Sequence, residues 1–286
     1  LKEGGRNTMG DKNIFKEILG HKSATLGLFI VVFALIISII GPQIAPYDYR
    51  EQNMVDRFHP PSAEYKLGTD NLGRDILSRI LHGTAITMQI GFFSVAIGLT
   101  LGLILGLLAG YFGGLIDRII SGLIEIMLAF PSLLLALVIV SILGPGLYKI
   151  MLAVGIRTMP IFARLTRGQV LQAKTTDYVE AGEVLGATDL RIIVKYIIPN
   201  IISPILVMAT LQISITILTA AGLSFLGLGA QPPIPAWGSM VAEGRAFLRY
   251  AWWISTFPGL AIMFIVMGFN LLGDGLRDIF DPQLNR

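Results

Sequence analysis

The sequence has no cysteine, which excludes disulfides, thiolate metal sites and thiol nucleophiles. It is also poor in charge, with Asp, Glu, Lys and Arg together making up only 14% of its 286 residues. Several catalytic patterns are missing. No G-x-x-x-x-G-K loop ending in Ser or Thr is present to cradle nucleotide phosphates, and neither an H-E-x-x-H zinc helix nor a G-x-S-x-G nucleophile elbow occurs. His21, His59 and His82 all lie outside the apolar stretches. An intramembrane hydrolase would therefore lack its reacting groups. The net charge of +3 and pI of about 9.2 come from basic residues scattered at the ends of apolar runs. Without a basic stripe they speak for membrane topology and against nucleic acid.

What the chain has in abundance is apolar length. Hydrophobic residues make up 53% of the sequence and the mean hydropathy is +0.70, outside the range of a soluble globular domain. A hydrocarbon core of roughly 30 Å needs about 20 apolar helical residues. Charge-free windows of that order run over 23–47, 85–116, 126–148, 196–242 and 250–273, and 150–163 is broken only by Arg157. These predict an all-α integral membrane protein with six transmembrane helices, near 23–41, 87–110, 119–143, 150–168, 200–225 and 252–273. The first apolar run is too long for a secretory signal and lacks its cleavage context, so it is expected to stay in the mature chain. An even number of spans puts both termini on one side. Lys and Arg number thirteen in the segments on that side and eight on the other, which makes both termini cytoplasmic. The chain then divides into a cytoplasmic segment 1–22, a first helix with its external loop 23–83, and a five-helix core 84–286 that contains an internal loop, 168–199.

Two polar regions are too long to be tight turns. Pro42 to Gly83, rich in Pro, Asp and Arg, is expected to form a small external cap. In the internal loop, Thr176 or Asp177 can cap a helix with Glu180 reaching back as in a capping box. Gly186 can end that helix in the left-handed region, and Thr188 can cap a second one running to Pro199. Ala181, Gly182 and Gly186 would leave a nearly bare strip for another protein to approach. On spacing alone, a docking hairpin and an ordinary amphipathic interfacial loop stand on equal footing.

Inside the spans, Gly98, Gly102, Gly106 and Gly110 recur every four residues and suit close helix packing. Pro131 is expected to kink the third span. Glu125 is the only carboxylate in a span; at the bilayer centre it would cost roughly 2.5 to 3.5 kcal/mol, and its place near the cytoplasmic end relieves that. Gln212, Ser214, Thr216 and Asn270 suit either interhelical hydrogen bonds or a solvated substrate pathway. A self-sufficient secondary transporter or channel would need coupling groups within the spans, for which only Glu125 and Arg157 are available.

Glu180-Ala181-Gly182, followed by Gly186 and Ile198-Pro199, resembles the EAA loop of binding-protein-dependent ABC importers, with Gly182 and Glu183 where that loop usually has Ala and often Arg. Further blocks narrow the resemblance to the dipeptide, oligopeptide and nickel permeases of DppC/OppC type. They are Leu67-Gly68-Thr69-Asp70-Asn71-Leu72-Gly73-Arg74-Asp75, then Ser224-Phe225-Leu226-Gly227-Leu228-Gly229 with Pro232-Pro233 and Trp237-Gly238-Ser239, and Asn270 to Asp278. Ala85 and Thr87 depart from the Arg and Ser common after Gly83 in that group. The resemblance implies a type I ABC importer permease fold in a prokaryotic inner membrane. It also implies that Asp177, Tyr178, Glu180, Ala181, Gly182 and Gly186 couple to ATPase subunits. The implied partners are a homologous second permease, two cytoplasmic ATPases and an external solute-binding protein. This chain would bind no cofactor, ATP and Mg residing in the ATPases, and small peptides are the expected cargo.

Overall fold

The computed structural model describes residues 14–280, and over that range the chain is helical with no strand; residues 1–13 of the N-terminal segment and 281–286 lie outside the described residues. A short helix, α1 (Ile14–Gly20), leads into α2 (Lys22–Ile44). After an irregular segment come α3 (Ile76–Phe112), α4 (Gly114–Ala129), α5 (Ser132–Leu143) and α6 (Leu147–Lys174). The internal loop holds α7 (Asp177–Val184) and α8 (Asp189–Ile192), then α9 (Ile198–Phe225), α10 (Trp237–Gly244) and α11 (Trp253–Phe280) complete the fold.

Four of these stretches, α2, α3, Asp189–Phe225 and α11, are each long and apolar enough to cross a membrane. The third expected span is a broken pair instead of a kinked helix, because α4 and α5 meet at 98°. Pro131 has no N–H to continue the ladder, and the residue before a proline avoids the helical region. Phe130 accordingly adopts ψ 138, and the chain turns there. The remaining expected span falls on α6, whose 28 residues reach about 42 Å at 1.5 Å per residue, but which is not among the helices apolar enough by composition to cross a membrane. Lys149, Arg157, Arg164, Arg167 and Lys174 make it the least apolar of the long helices, and its middle is packed within the bundle.

The glycine spacing sets how α3 and α6 meet. A Cβ on Gly98, Gly102, Gly106 or Gly110 would collide with Thr158, Phe162, Thr166 or Val170 respectively. Each partner lies sixty residues on, so the two helices run parallel with a constant register. In contrast, α2 and α11 are antiparallel, with Gly27 against Leu272, Gly268 against Ile30 and Gly275 against Ala24. Small residues permit such backbone approach where lipid gives no hydrophobic drive between helices.

Helix α3 begins at Ile76, so the end of the expected external loop is already helical. Asp75 caps it, its Oδ2 accepting from the Ser78 backbone N–H and hydroxyl, both at 2.7 Å. Asp70, fully buried, accepts from Arg74 Nε at 2.6 Å and also from Arg79 Nη1. Glu243 on α10 accepts from the same two guanidinium groups at 2.9 and 3.1 Å. Two cations and two anions thus neutralise each other where a single buried charge would be prohibitive. The indoles of Trp253 and Trp237 donate to the carbonyls of Thr69 and Ile80, holding the cap onto α10 and α11.

Candidate functional site

The internal loop is a hairpin fixed from below. Val179, Ile192 and Ile197 are buried in one apolar cluster with Val170, Ala173, Ile201 and Tyr111, which roots α7 and α8 on the ends of α3, α6 and α9. Lys174 Nζ donates to the Tyr111 carbonyl at 2.8 Å and lies 5.2 Å from its ring centroid. Arg167 on α6 meets Asp117 on α4 in a two-pronged contact at 2.5 and 2.6 Å.

Gly186 carries φ +76, and its N–H and that of Ala187 donate to the carbonyls of Glu183 and Gly182 at 2.9 and 3.0 Å. This is the expected left-handed helix stop. Other details differ from the sequence reading. The capping box does not form, because the Thr176 hydroxyl is engaged by the Ala173 carbonyl at the end of α6, at 2.5 Å. The second helix does not stop at Pro199; it passes through a wide π turn, Ile193–Ile197, into α9. That turn lies where Pro199 has no N–H to offer the Lys195 carbonyl.

The bare strip is also divided. Gly182 is buried and faces the Tyr196 ring, where a Cβ would sit 3.5 Å away. Asp177, Tyr178, Glu180, Ala181 and Gly186 remain on the exposed side. Between them stand three apolar side chains that the sequence reading overlooked: Val184, Leu185 and Leu190, exposed by 82%, 86% and 72%. The available signal was only their position on either side of Gly186, where the turn carries them away from the buried face. Each offers about 1.5 to 3 kcal/mol if a partner covers it fully.

The four polar residues of α9 and α11 separate into two environments. Ser214 donates to Asn270 Oδ1 at 2.5 Å, linking the helices. Asn270 is exposed and lines a groove of about 570 Å³ with Leu218, Met263, Met267 and Asp274. Gln212 and Thr216 are buried, away from that groove, and Gln212 Oε1 and Thr216 Oγ1 have no hydrogen-bond partner. Among the described residues no group of three or more His, Cys, Asp or Glu side chains could hold a metal ion.

The profile of the family described as binding-protein-dependent transport system inner membrane component matches residues 102–286, and that of the N-terminal TM domain of oligopeptide transport permease C matches residues 12–61. The chain is 45% identical over 273 residues to the dipeptide transport system permease protein DppC of Alkalihalophilus pseudofirmus, covering 96% of this chain and 90% of that one. It is 45% identical over 265 residues to the glutathione transport system permease protein GsiD of Pectobacterium atrosepticum, covering 92% and 88%. Among solved structures, an inward-facing form of the MetNI methionine ABC transporter superposes with a TM-score of 0.58 at 19% identity, over 71% of this chain and 97% of that one. An amino acid ABC transporter solved with histidines gives 0.54 at 20% identity, over 68% and 91%. A self-sufficient channel or secondary transporter finds no support among these relatives. With both profiles, the near full-length relatives and the fold in agreement, the chain belongs to the family of binding-protein-dependent transport system inner membrane components and is a permease subunit of an ABC importer.

Proposed function

We propose that this permease carries di- and oligopeptides inward, supplying half of a pathway completed by a homologous second permease. Two ATPase subunits that hold ATP and Mg would dock on the α7–α8 hairpin, on the cytoplasmic side together with both termini. A solute-binding protein would deliver cargo at the opposite face, against the cap between α2 and α3. The observation that carries this reading is the hairpin itself: a short helix rooted by Val179, Ile192 and Ile197, presenting Val184, Leu185 and Leu190 with nothing over them. A rooted lever with an apolar head transmits a partner's movement to α6 and α9, and a bundle with two packings then alternates between facing in and out. The peptide cargo is supported by the relatives, two of which are named for dipeptide and glutathione transport.

The test is to purify the chain with its co-expressed partners and measure peptide uptake in proteoliposomes. Uptake that needs the ATPases, ATP and the binding protein is the expected result. Uptake by this chain alone, without ATP, would overturn the reading.

A further inference from the structure

Several buried polar atoms without a hydrogen-bond partner lie on three neighbouring helices: Ser94 Oγ on α3, Arg157 Nε and Nη2 on α6, and Gln212 Oε1 and Thr216 Oγ1 on α9. Glycine contacts place them at one level. A Cβ on Gly155 of α6 would meet the Ser94 carbonyl at 3.0 Å, and one on Gly91 of α3 would meet Ile213 and Ile217 of α9 at 3.1 to 3.2 Å. Arg157, Gln212 and Thr216 are each within one helical turn of these crossings. All four residues are nearly inaccessible, at 0% for Ser94, 4% for Arg157, 5% for Gln212 and 0% for Thr216.

A guanidinium stays protonated in proteins and, within a membrane, calls for an anion. Among the described residues no ion pair includes Arg157. Asp117 is taken by Arg167 and Ser121, and Glu125 is exposed on α4. Ionisable residues deep in membrane proteins are rare and mark substrate or ion pathways among their functional uses.

We propose that Arg157 is the anion-binding residue of the transport pathway and takes the carboxylate of the transported peptide as α6 and α9 part; this rests on the peptide-importer reading above. The chemistry is complementary in both directions. A peptide brings a carboxylate that accepts from the guanidinium in a two-pronged contact. It also brings N–H groups that donate to Gln212 Oε1 and Thr216 Oγ1, acceptors that a lone counter-ion would leave unmet.

The test uses the assembled importer in proteoliposomes, with Arg157→Cys placing the only thiol in this chain. Dipeptide uptake is expected to fall roughly tenfold or more, the loss of one charge-assisted contact, while the ATPases still copurify and hydrolyse ATP. A cationic methanethiosulfonate should restore uptake and an anionic one should not. Free dipeptide, but not the same dipeptide amidated at its C-terminus, should slow the modification. The wild-type complex treated with the same reagents accounts for thiols in the partner subunits. Should the cysteine chain fail to insert, Arg157→Gln, with uptake of the free peptide challenged by free and by amidated dipeptide, gives the same reading: uptake falls and competition by the free form is lost.

Three results would overturn the proposal: a thiol unreactive throughout turnover, equal rescue by the anionic reagent, or undiminished uptake by either variant. Loss of the second permease from the Arg157→Cys complex, regained with Arg157→Lys, would also overturn it by making Arg157 a counter-ion to a neighbouring subunit. If the wild-type complex holds no ATPase, the importer reading fails instead.

Discussion

The hydroxyl of Tyr111, at the end of α3, donates a 2.8 Å hydrogen bond to Asp189 Oδ1, at the start of α8. It is a side-chain hydrogen bond from the α7–α8 hairpin to a helix that is not contiguous with it in sequence. Tyr111→Phe removes that bond and keeps the ring under Lys174. A hydrogen bond to a charged group contributes about 1.5 to 3 kcal/mol, enough to loosen the lever without unfolding it. The expected outcome is fewer peptides moved per ATP hydrolysed, with ATPase binding retained, measured as paired uptake and hydrolysis rates.

Leu185→Asp should release the ATPases. It replaces an exposed apolar group on the hairpin head by a charge that a covering partner would have to desolvate. About 2 kcal/mol lost at one such contact weakens binding by a factor of roughly thirty. Copurification of the ATPases should drop while the amount of chain in the membrane stays the same.

At Gly186 the constraint is conformational, since a Cβ there would meet nothing within 4 Å. The left-handed backbone, φ +76, is what excludes most side chains. Gly186→Asn, a residue that tolerates this region, should support near-normal uptake, whereas Gly186→Val should lose about 1 to 2 kcal/mol of turn stability and most coupling. Equal uptake by both variants would contradict this account.

Gly102→Leu should destabilise the bundle, because the new side chain would be driven into Phe162 and the α6 backbone. Overpacking a tight crossing destabilises by about 1 to 3 kcal/mol or more. Reduced accumulation of the chain in the membrane, on an immunoblot of the membrane fraction, is the expected readout.

Outside the spans, the Tyr65 phenol is pushed up from 10.0 to about 12, chiefly by burial, then by the hydrogen bond it donates to Asp56 at 3.0 Å and by nearby acidic charge. Its folded value is above its unfolded one. The stabilisation is therefore complete below about pH 10 and disappears as the pH rises towards 12. Tyr65→Phe should flatten the alkaline limb of a thermal-stability profile in that window, and an unchanged slope would refute the assignment.

Four of the expected spans, and a fifth as the bent α4–α5 pair, were legible in the sequence because charge-free length is a direct consequence of the hydrocarbon thickness. The Gly98 to Gly110 spacing likewise announced a packing face. The break at Phe130 was legible only as a kink, since a proline signals a missing hydrogen bond and not the angle its neighbours adopt. In the hairpin, Gly186 was readable from its conformational permissiveness. The direction Gly182 faces was not, because it is set by Tyr196, fourteen residues away. Leu185 and Leu190 passed unnoticed for a related reason: in a sequence this apolar, exposed leucines carry no contrast.

The parallel register of α3 and α6 limits how the bundle moves. Each of the four notches is occupied by one residue of the facing helix, so a slide of one or two residues would drive a side chain into backbone. Only a jump of four residues, about 6 Å along the axis, brings glycines back opposite their neighbours. The pair therefore behaves as a ratchet bar with a coarse tooth: gradual shear is forbidden to it, and small strokes must be taken up at other joints, such as the elbow between α4 and α5.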